Sequence, residues 1–213
     1  MRHERSALME KFRGMVARIY RPGCQMDNAM VFVNPQQGVG KSTAILSLLP
    51  NADSWGGVLK FDEKELPVKM HRYVIGIVEE VDKLSGKKAA SEMKEFVTER
   101  VRHARLPYAY TESPLPRRAV LLGTSNHEDF LHDETGARRW WAVNVRNINR
   151  ASLAAARDQL WAEAVAAYQA GEQWWFSADD QERVAAPQQT ALTRLDSSPE
   201  AEHLLDAVQY LPP

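Results

Sequence analysis

Three observations predict an α/β fold with a mostly parallel central sheet flanked by helices. Apolar runs of strand length recur at 30–33, 73–78 and 119–124. Apolar residues at helical spacing lie before, between and after those runs. One strand-to-helix junction carries the glycine-bearing string Gly38-Val39-Gly40-Lys41-Ser42. Strands alternating with helices give layered sheets whose ligands sit at the carboxyl ends of the strands.

In chain order, Leu8, Phe12, Met15, Val16 and Ile19 fall at helical spacing over 5–20, so an opening helix is expected, stopped near Pro22-Gly23. The run 30–33 then leads through the glycine loop into a second periodic run ended by Pro50, which reads as strand, loop, helix. Residues 51–70 mix Gly56, Gly57 and Pro67 with charged residues, and irregular structure with a short strand is expected there. The run 73–78 is apolar on both alternating sets, like a strand buried on both faces, and ends in Glu79-Glu80. Ala89, Met93, Phe96, Val97, Val101 and Ala104 predict a helix over 88–104, terminated by Pro107. A strand over 119–124 follows, then a loop over 125–136 and an alternating strand over 138–145. Leu153, Leu160, Trp161, Ala164, Val165 and Tyr168 predict an amphipathic helix, with Gly171 as its stop. One or two small helices are expected beyond Trp175. Residues 1–176 are therefore read as one domain with an N-terminal helix, and 177–213 as a small helical acidic extension.

Composition narrows the class. The 213 residues are 44% hydrophobic and 26% charged, ordinary for a soluble globular chain and unlike a fibrous or disordered one. The net charge of -1 announces neither nucleic acid nor membrane, but its distribution is uneven. Acidic residues crowd the segment after Ser177, which leaves the body basic. A single cysteine, Cys24, excludes an intramolecular disulfide and a cysteine-built zinc site and fits a reducing cytosol. No run is long and apolar enough for a membrane span, and the charged N-terminus does not resemble a cleavable signal, so a cytoplasmic protein is expected.

The chemistry begins at the glycine string. Successive backbone N–H groups in such a loop form an anion nest, and glycines let phosphates approach closely. Lys41 would reach the β- and γ-phosphates of a nucleotide, and the Ser42 hydroxyl would complete the coordination of Mg²⁺. Pro35 stands where the pattern G-x-x-x-x-G-K-[ST] has its first glycine. A proline fits only if that position needs neither a positive φ nor an N–H donor. Glu79 and Glu80, at a strand end, are candidates for the metal side and the attacking water respectively. Asn126 closes the next strand and could bond both the γ-phosphate and the lytic water. Arginines at 100, 102, 105, 117, 118, 138 and 139 could stabilise the charge of phosphoryl transfer or track a nucleic-acid backbone. Of Arg138 and Arg139, adjacent on a strand, at most one would face a site. The tryptophans are read as core or interface, and the six histidines lack metal-ligand grouping.

Several segments carry a wider resemblance. They are Pro22-Gly23-Cys24-Gln25-Met26-Asp27; Gln37-Gly38-Val39-Gly40-Lys41-Ser42-Thr43; Ile77-Val78-Glu79-Glu80; Arg105-Leu106-Pro107-Tyr108; Gly123-Thr124-Ser125-Asn126; and Asp133-Glu134-Thr135-Gly136-Ala137-Arg138-Arg139-Trp140. With Lys94 to Phe96 and Gln159 to Ala164, they resemble the virulence-associated protein E family of phage and prophage replication proteins over roughly residues 12–176. The resemblance implies an AAA+-related, superfamily 3 helicase-like P-loop NTPase, usually hexameric and often fused behind a primase. It makes Gln37, Gly38, Val39, Gly40, Lys41, Ser42 and Thr43 the ATP-binding residues and Ser42 with Glu79 the Mg²⁺ residues. It makes Glu79 and Glu80 the acidic pair, Asn126 the sensor and Arg138 or Arg139 the arginine finger. Pro35 departs from the family pattern, and so does Arg102, where the family has an acidic residue. No primase half precedes this module in the sequence, so any primase is expected as a separate partner.

The leading expectation is an ATP-hydrolysing, ring-forming motor acting on single-stranded DNA, with Arg100, Arg102 and Arg105 as nucleic-acid contacts. A nucleotide-binding assembly switch with little hydrolysis is the alternative. A P-loop kinase fits less well with the Glu79-Glu80 pair and the Asn126 strand end.

Overall fold

The computed structural model describes residues 2–83, 87–106, 108–127, 139–145, 147–175 and 208–209. Its first seven strands are β1 (Ala29–Val33), β2 (Gly56–Val58), β3 (Ile75–Val78), β4 (Val101–Arg105), β5 (Glu112–Pro116), β6 (Val120–Ser125) and β7 (Trp140–Asn144). All but β4 and β5 form one parallel sheet in the order β2-β3-β6-β1-β7. The mostly parallel sheet is thus as expected, with β1 inside it between β6 and β7. The chain leaves β1 toward one edge and later returns across it to β7. The crevice at the carboxyl end of β1 is therefore the place where such sheets bind ligands.

Both faces of the sheet are covered. The helices are α1 (Arg2–Tyr20), α2 (Lys41–Ser47), α3 (Ala52–Trp55), α4 (Leu66–Arg72), α5 (Lys87–Thr98) and α6 (Arg150–Gln169). Side chains alternate along each strand, so Met30, Ile75, Ile77, Val120, Leu122 and Trp141 face one cluster with Phe12 of α1, Ile45 of α2 and Leu160 of α6. Val31, Val33, Val78, Leu121 and Trp140 face the other, with Met70 of α4 and Met93 and Phe96 of α5. Trp161 serves as both core and tie, donating its indole N–H to the Leu48 carbonyl at 2.7 Å and meeting Phe12 edge-on. Fully buried Lys11 of α1 donates to the carbonyl and side-chain oxygens of Asn28 and lies 4.1 Å over the Trp141 ring.

Two expectations are corrected. The helix predicted over 88–104 ends at Thr98, and Val101 and Ala104 lie instead on β4, which pairs antiparallel with β5. The helical spacing there is fortuitous: Val101, His103 and Arg105 are exposed and alternate with half-buried Arg102 and Ala104, the period of a ribbon. Residues 51–70, expected to be mostly irregular, hold two short helices besides β2. The Asn51 side chain caps α3 by accepting from the Ser54 N–H at 3.1 Å, and Pro67 sits in the first turn of α4, where its missing N–H costs nothing. Gly171 ends α6 region at φ 81°. Of the tail, only β9 (Val208–Gln209) is described, paired with β8 (Asn147–Ile148). The helices expected beyond Trp175 otherwise lie outside the described residues. Among the described residues, no helix is long and apolar enough to cross a membrane.

Candidate functional site

The loop 34–40 joins β1 to α2 at the carboxyl edge of the sheet. It opens with an Asx turn in which Asn34 Oδ1 accepts from the Gln36 N–H at 2.7 Å, bridging Pro35. Pro35 thus occupies the turn position where a fixed φ helps and no N–H is asked for. Asn34 also donates through Nδ2 to the Val145 carbonyl just past β7, which pins the start of the loop to the neighbouring strand end. Gly38 and Gly40 adopt left-handed backbone at φ 83° and 87°, and a Cβ at either would meet nothing within 4 Å. Glycine is there for the conformation, and the space beside the loop is open.

Three strand ends meet over this loop. Lys41, at the start of α2, is buried and donates from Nζ to the Asn34 carbonyl and to Asn126 Oδ1, both at 2.8 Å. Burial pushes its ammonium below the ordinary value, while the Asp82 carboxylate pulls the other way. Ser42 donates from Oγ to Glu79 Oε1 at 2.6 Å. A hydroxyl and a carboxylate oxygen side by side are the hard oxygen donors that Mg²⁺ prefers, so the pair fits that ion. Next to it, Glu80 has φ 51° and its Oε1 lies 2.7 Å from Lys83 Nζ.

Lys41, Ser42, Glu79, Glu80 and Asn126, picked out in the sequence, therefore sit along one edge, with Gln37, Gly38, Val39 and Gly40 in the loop and exposed Thr43 on α2. Two further residues belong with them. Asn34 holds the loop, and Asp82 accepts from Ser125 Oγ at 2.9 Å and from the Asn126 N–H at 3.4 Å. Asp82 was legible only as a third acid after the strand; Asn34 carried no signal beyond preceding a proline.

The arginines separate. Arg139 directly precedes β7, whose first residue pairs with Ala29, so it lies at the amino edge of the sheet, opposite the loop. A strand of this length spans about 16 Å. Arg138 lies outside the described residues. Arg100, Arg102 and Arg105 are at the β4–β5 ribbon, but not as one array. Arg100 Nε donates to the Gly23 carbonyl at 2.8 Å and Arg102 Nε to Glu99 at 2.7 Å, while Arg105 Nε bonds the Ala109 carbonyl at 2.6 Å. Arg102 and Arg105 point to opposite faces of the ribbon. Tyr108, read in the sequence only as part of the segment Arg105-Leu106-Pro107-Tyr108, and Tyr110, which the sequence reading passed over, stand almost wholly exposed beside Arg105 where the ribbon turns. The ribbon base is fastened by Gly23 N–H to the Arg117 carbonyl, and by buried Arg117, which donates to the Phe96, Val97 and Ala119 carbonyls.

A family model for the virulence-associated protein E-like domain matches residues 2–193. The chain belongs to that family. Comparison with curated proteins gives no match. Among solved structures, the chain is similar to the apo A form of the NrS-1 C-terminal region, at 15% identity and a TM-score of 0.45, over 84% of this chain and 37% of that one. It thus spans little more than a third of that chain's length. An inhibitor-bound JCV helicase is similar at 12% identity and a TM-score of 0.38, over 85% of this chain and 54% of that one.

Proposed function

We propose that this family member is an ATP-hydrolysing motor domain that works as a ring on single-stranded DNA during replication of a phage or other mobile element. The observation that carries the reading is the meeting of Lys41, Ser42, Glu79 and Asn126 at one sheet edge, beside a loop held open by two left-handed glycines. An ammonium, a turn of backbone N–H groups and a hydroxyl–carboxylate pair are what a nucleotide triphosphate with its metal requires.

In that reading, Lys41 exchanges Asn126 for the β- and γ-phosphates, and the loop amides take the remaining oxygens. Mg²⁺, held by Ser42 and Glu79, would neutralise developing charge when bound. Glu80 accepts the proton of the water that attacks the γ-phosphorus, as the bond to the ADP oxygen breaks, and Asn126 orients that water. Arg139 lies a strand length from its own loop, so in a ring, with a hexamer favoured, Arg138 or Arg139 would serve a neighbouring copy's nucleotide rather than its own. The exposed Tyr108 and Tyr110 beside Arg105 offer ring faces and charge to unpaired bases. A primase would complete the replication role.

The test is ATP hydrolysis by the wild type and Lys41→Ala, with and without single-stranded DNA, while assembly is monitored. DNA-stimulated turnover that Lys41→Ala abolishes supports the motor. One observation favours the alternative switch: Lys83 holds the Glu80 carboxylate at 2.7 Å. Tight nucleotide binding with background hydrolysis in the assembled, DNA-bound protein would replace the motor with that switch.

A further inference from the structure

We infer that Asp82 is a positioning residue for hydrolysis, acting through Asn126; the inference rests on the ATPase reading above. Asp82 lies in the 3-10 turn Val81–Lys83 that follows the acidic pair, and its side chain is only 10% exposed. A carboxylate is costly to bury without partners, so what it bonds identifies what it is for. It accepts from the Ser125 hydroxyl at 2.9 Å and the Asn126 N–H at 3.4 Å, both at the end of β6. The same hydroxyl lies 2.7 Å from the His127 carbonyl and accepts from the His127 N–H at 3.0 Å, so the turn at 125–127 is closed on itself and clamped by Asp82.

The consequence appears one residue on. Asn126 projects its amide from this clamped turn, with Oδ1 on Lys41 Nζ at 2.8 Å. Asp82 also favours the charged form of Lys41. It touches neither the open side of the loop nor the Ser42–Glu79 pair by any bond among the described residues. Its part is therefore to fix the separation between the strand that carries the acids and the strand that carries the sensor amide. Without it, Asn126 keeps its chemistry and loses its address.

Steady-state hydrolysis and nucleotide affinity are measured for the wild type, Lys41→Ala, Asp82→Ala, Asp82→Asn, Asn126→Ala and the Asp82→Ala/Asn126→Ala pair. Hydrogen exchange over 120–127 is followed in the nucleotide-free protein. Asp82→Ala should lower kcat by about 10- to 100-fold, the usual range for an outer positioning group, with nucleotide affinity nearly unchanged. Asp82→Asn, which keeps an acceptor in place, should recover part of the loss. The double variant should be no slower than Asn126→Ala alone, because the two act as a unit. Exchange at 125–127 should quicken in Asp82→Ala while the other sheet strands stay protected. Additive losses in the double variant, a loss confined to affinity, or unchanged exchange and kcat would each overturn the inference. A wild type no faster than Lys41→Ala would overturn the ATPase reading itself, and the exchange result would still decide whether Asp82 clamps the turn.

Discussion

Gly123 is the position where packing and the site can be tested together. It lies in β6, in register with Val31 of β1 and Val78 of β3. A Cβ there would stand 2.8 Å from Val81 Cγ2 and 3.0 Å from Val31 Cγ2. Carbon atoms rest at about 3.5–4.0 Å, so roughly 0.5–1 Å must open. Val31 is locked inside the sheet, whereas Val81 belongs to the turn that carries Asp82 and follows Glu80. That turn has to give. Overpacking of this kind costs about 1–3 kcal/mol, and the lower chain entropy of alanine offsets about 0.5–1 kcal/mol. A net loss of about 1–2 kcal/mol is expected for Gly123→Ala, or roughly 2–8 °C in Tm for a chain of this size. Val81→Ala removes two buried methyl groups at about 1.5–2 kcal/mol. In the double variant the added methyl fills the space that Val81→Ala vacates. Its loss should therefore be smaller than the sum by about 1 kcal/mol or more, well outside the roughly 0.5 kcal/mol within which independent sites add. Denaturant unfolding of the four proteins measures this directly. Additive losses, or a Gly123→Ala protein as stable as the wild type, would refute the contact and the claim that the acidic turn rests on it.

Three other predictions concern separate parts of the molecule. Burial holds the Lys11 ammonium well below its ordinary value; the folded chain then binds fewer protons than the unfolded one between the two values, so stability should rise as pH climbs through that window. Urea midpoints from neutral to mildly alkaline pH should show this rise, with a flatter slope in Lys11→Met. Gly38→Ala should cost about 1–2 kcal/mol through its left-handed backbone alone, since no atom obstructs the methyl, and should weaken nucleotide binding; equal affinity in calorimetry would contradict a phosphate-facing loop. Tyr108→Ala and Tyr110→Ala should leave Tm unchanged, because both rings are almost wholly exposed. Each should weaken single-stranded DNA binding by about 1–3 kcal/mol per stacked base, and unchanged anisotropy titrations would remove the ribbon from the DNA path.

The inner strands β1, β3 and β6 were legible because they are buried on both faces, and continuous apolar runs such as 73–78 and 119–124 read best as such strands. The ribbon was hidden for the converse reason. Its two strands are largely exposed and need no apolar pattern, and β5 carries Pro114 and Pro116, which argue against a strand unless it is an edge. In a two-stranded ribbon each strand has a free side, so the prolines sit opposite His103 and Val101 without breaking a wider ladder. Pro67 misled in the same way, marking a helix start rather than a break. At the site, Lys41, Ser42, Glu79 and Asn126 were readable because loop and strand-end chemistry is local in sequence. Asn34 and Asp82 were not, because what they do is hold other elements: one reaches the end of β7 and the other the end of β6.

The ribbon is continuous in the chain with the strand that ends beside the Asn126 amide. Pro116 closes β5, Arg117 anchors the base, and after Arg118 and Ala119 the chain enters β6 and runs to Ser125 and Asn126. The β4–β5 pair is thus a cantilever clamped at its root, and β6 is a stiff pushrod of about 20 Å beyond the clamp. A load on the tip at Tyr108 and Tyr110 has a single covalent path of fewer than twenty residues to the amide that touches Lys41. In the motor reading proposed above, a pull on that tip would be passed along the chain to the loop edge, with the buried guanidinium of Arg117 at the root of the ribbon.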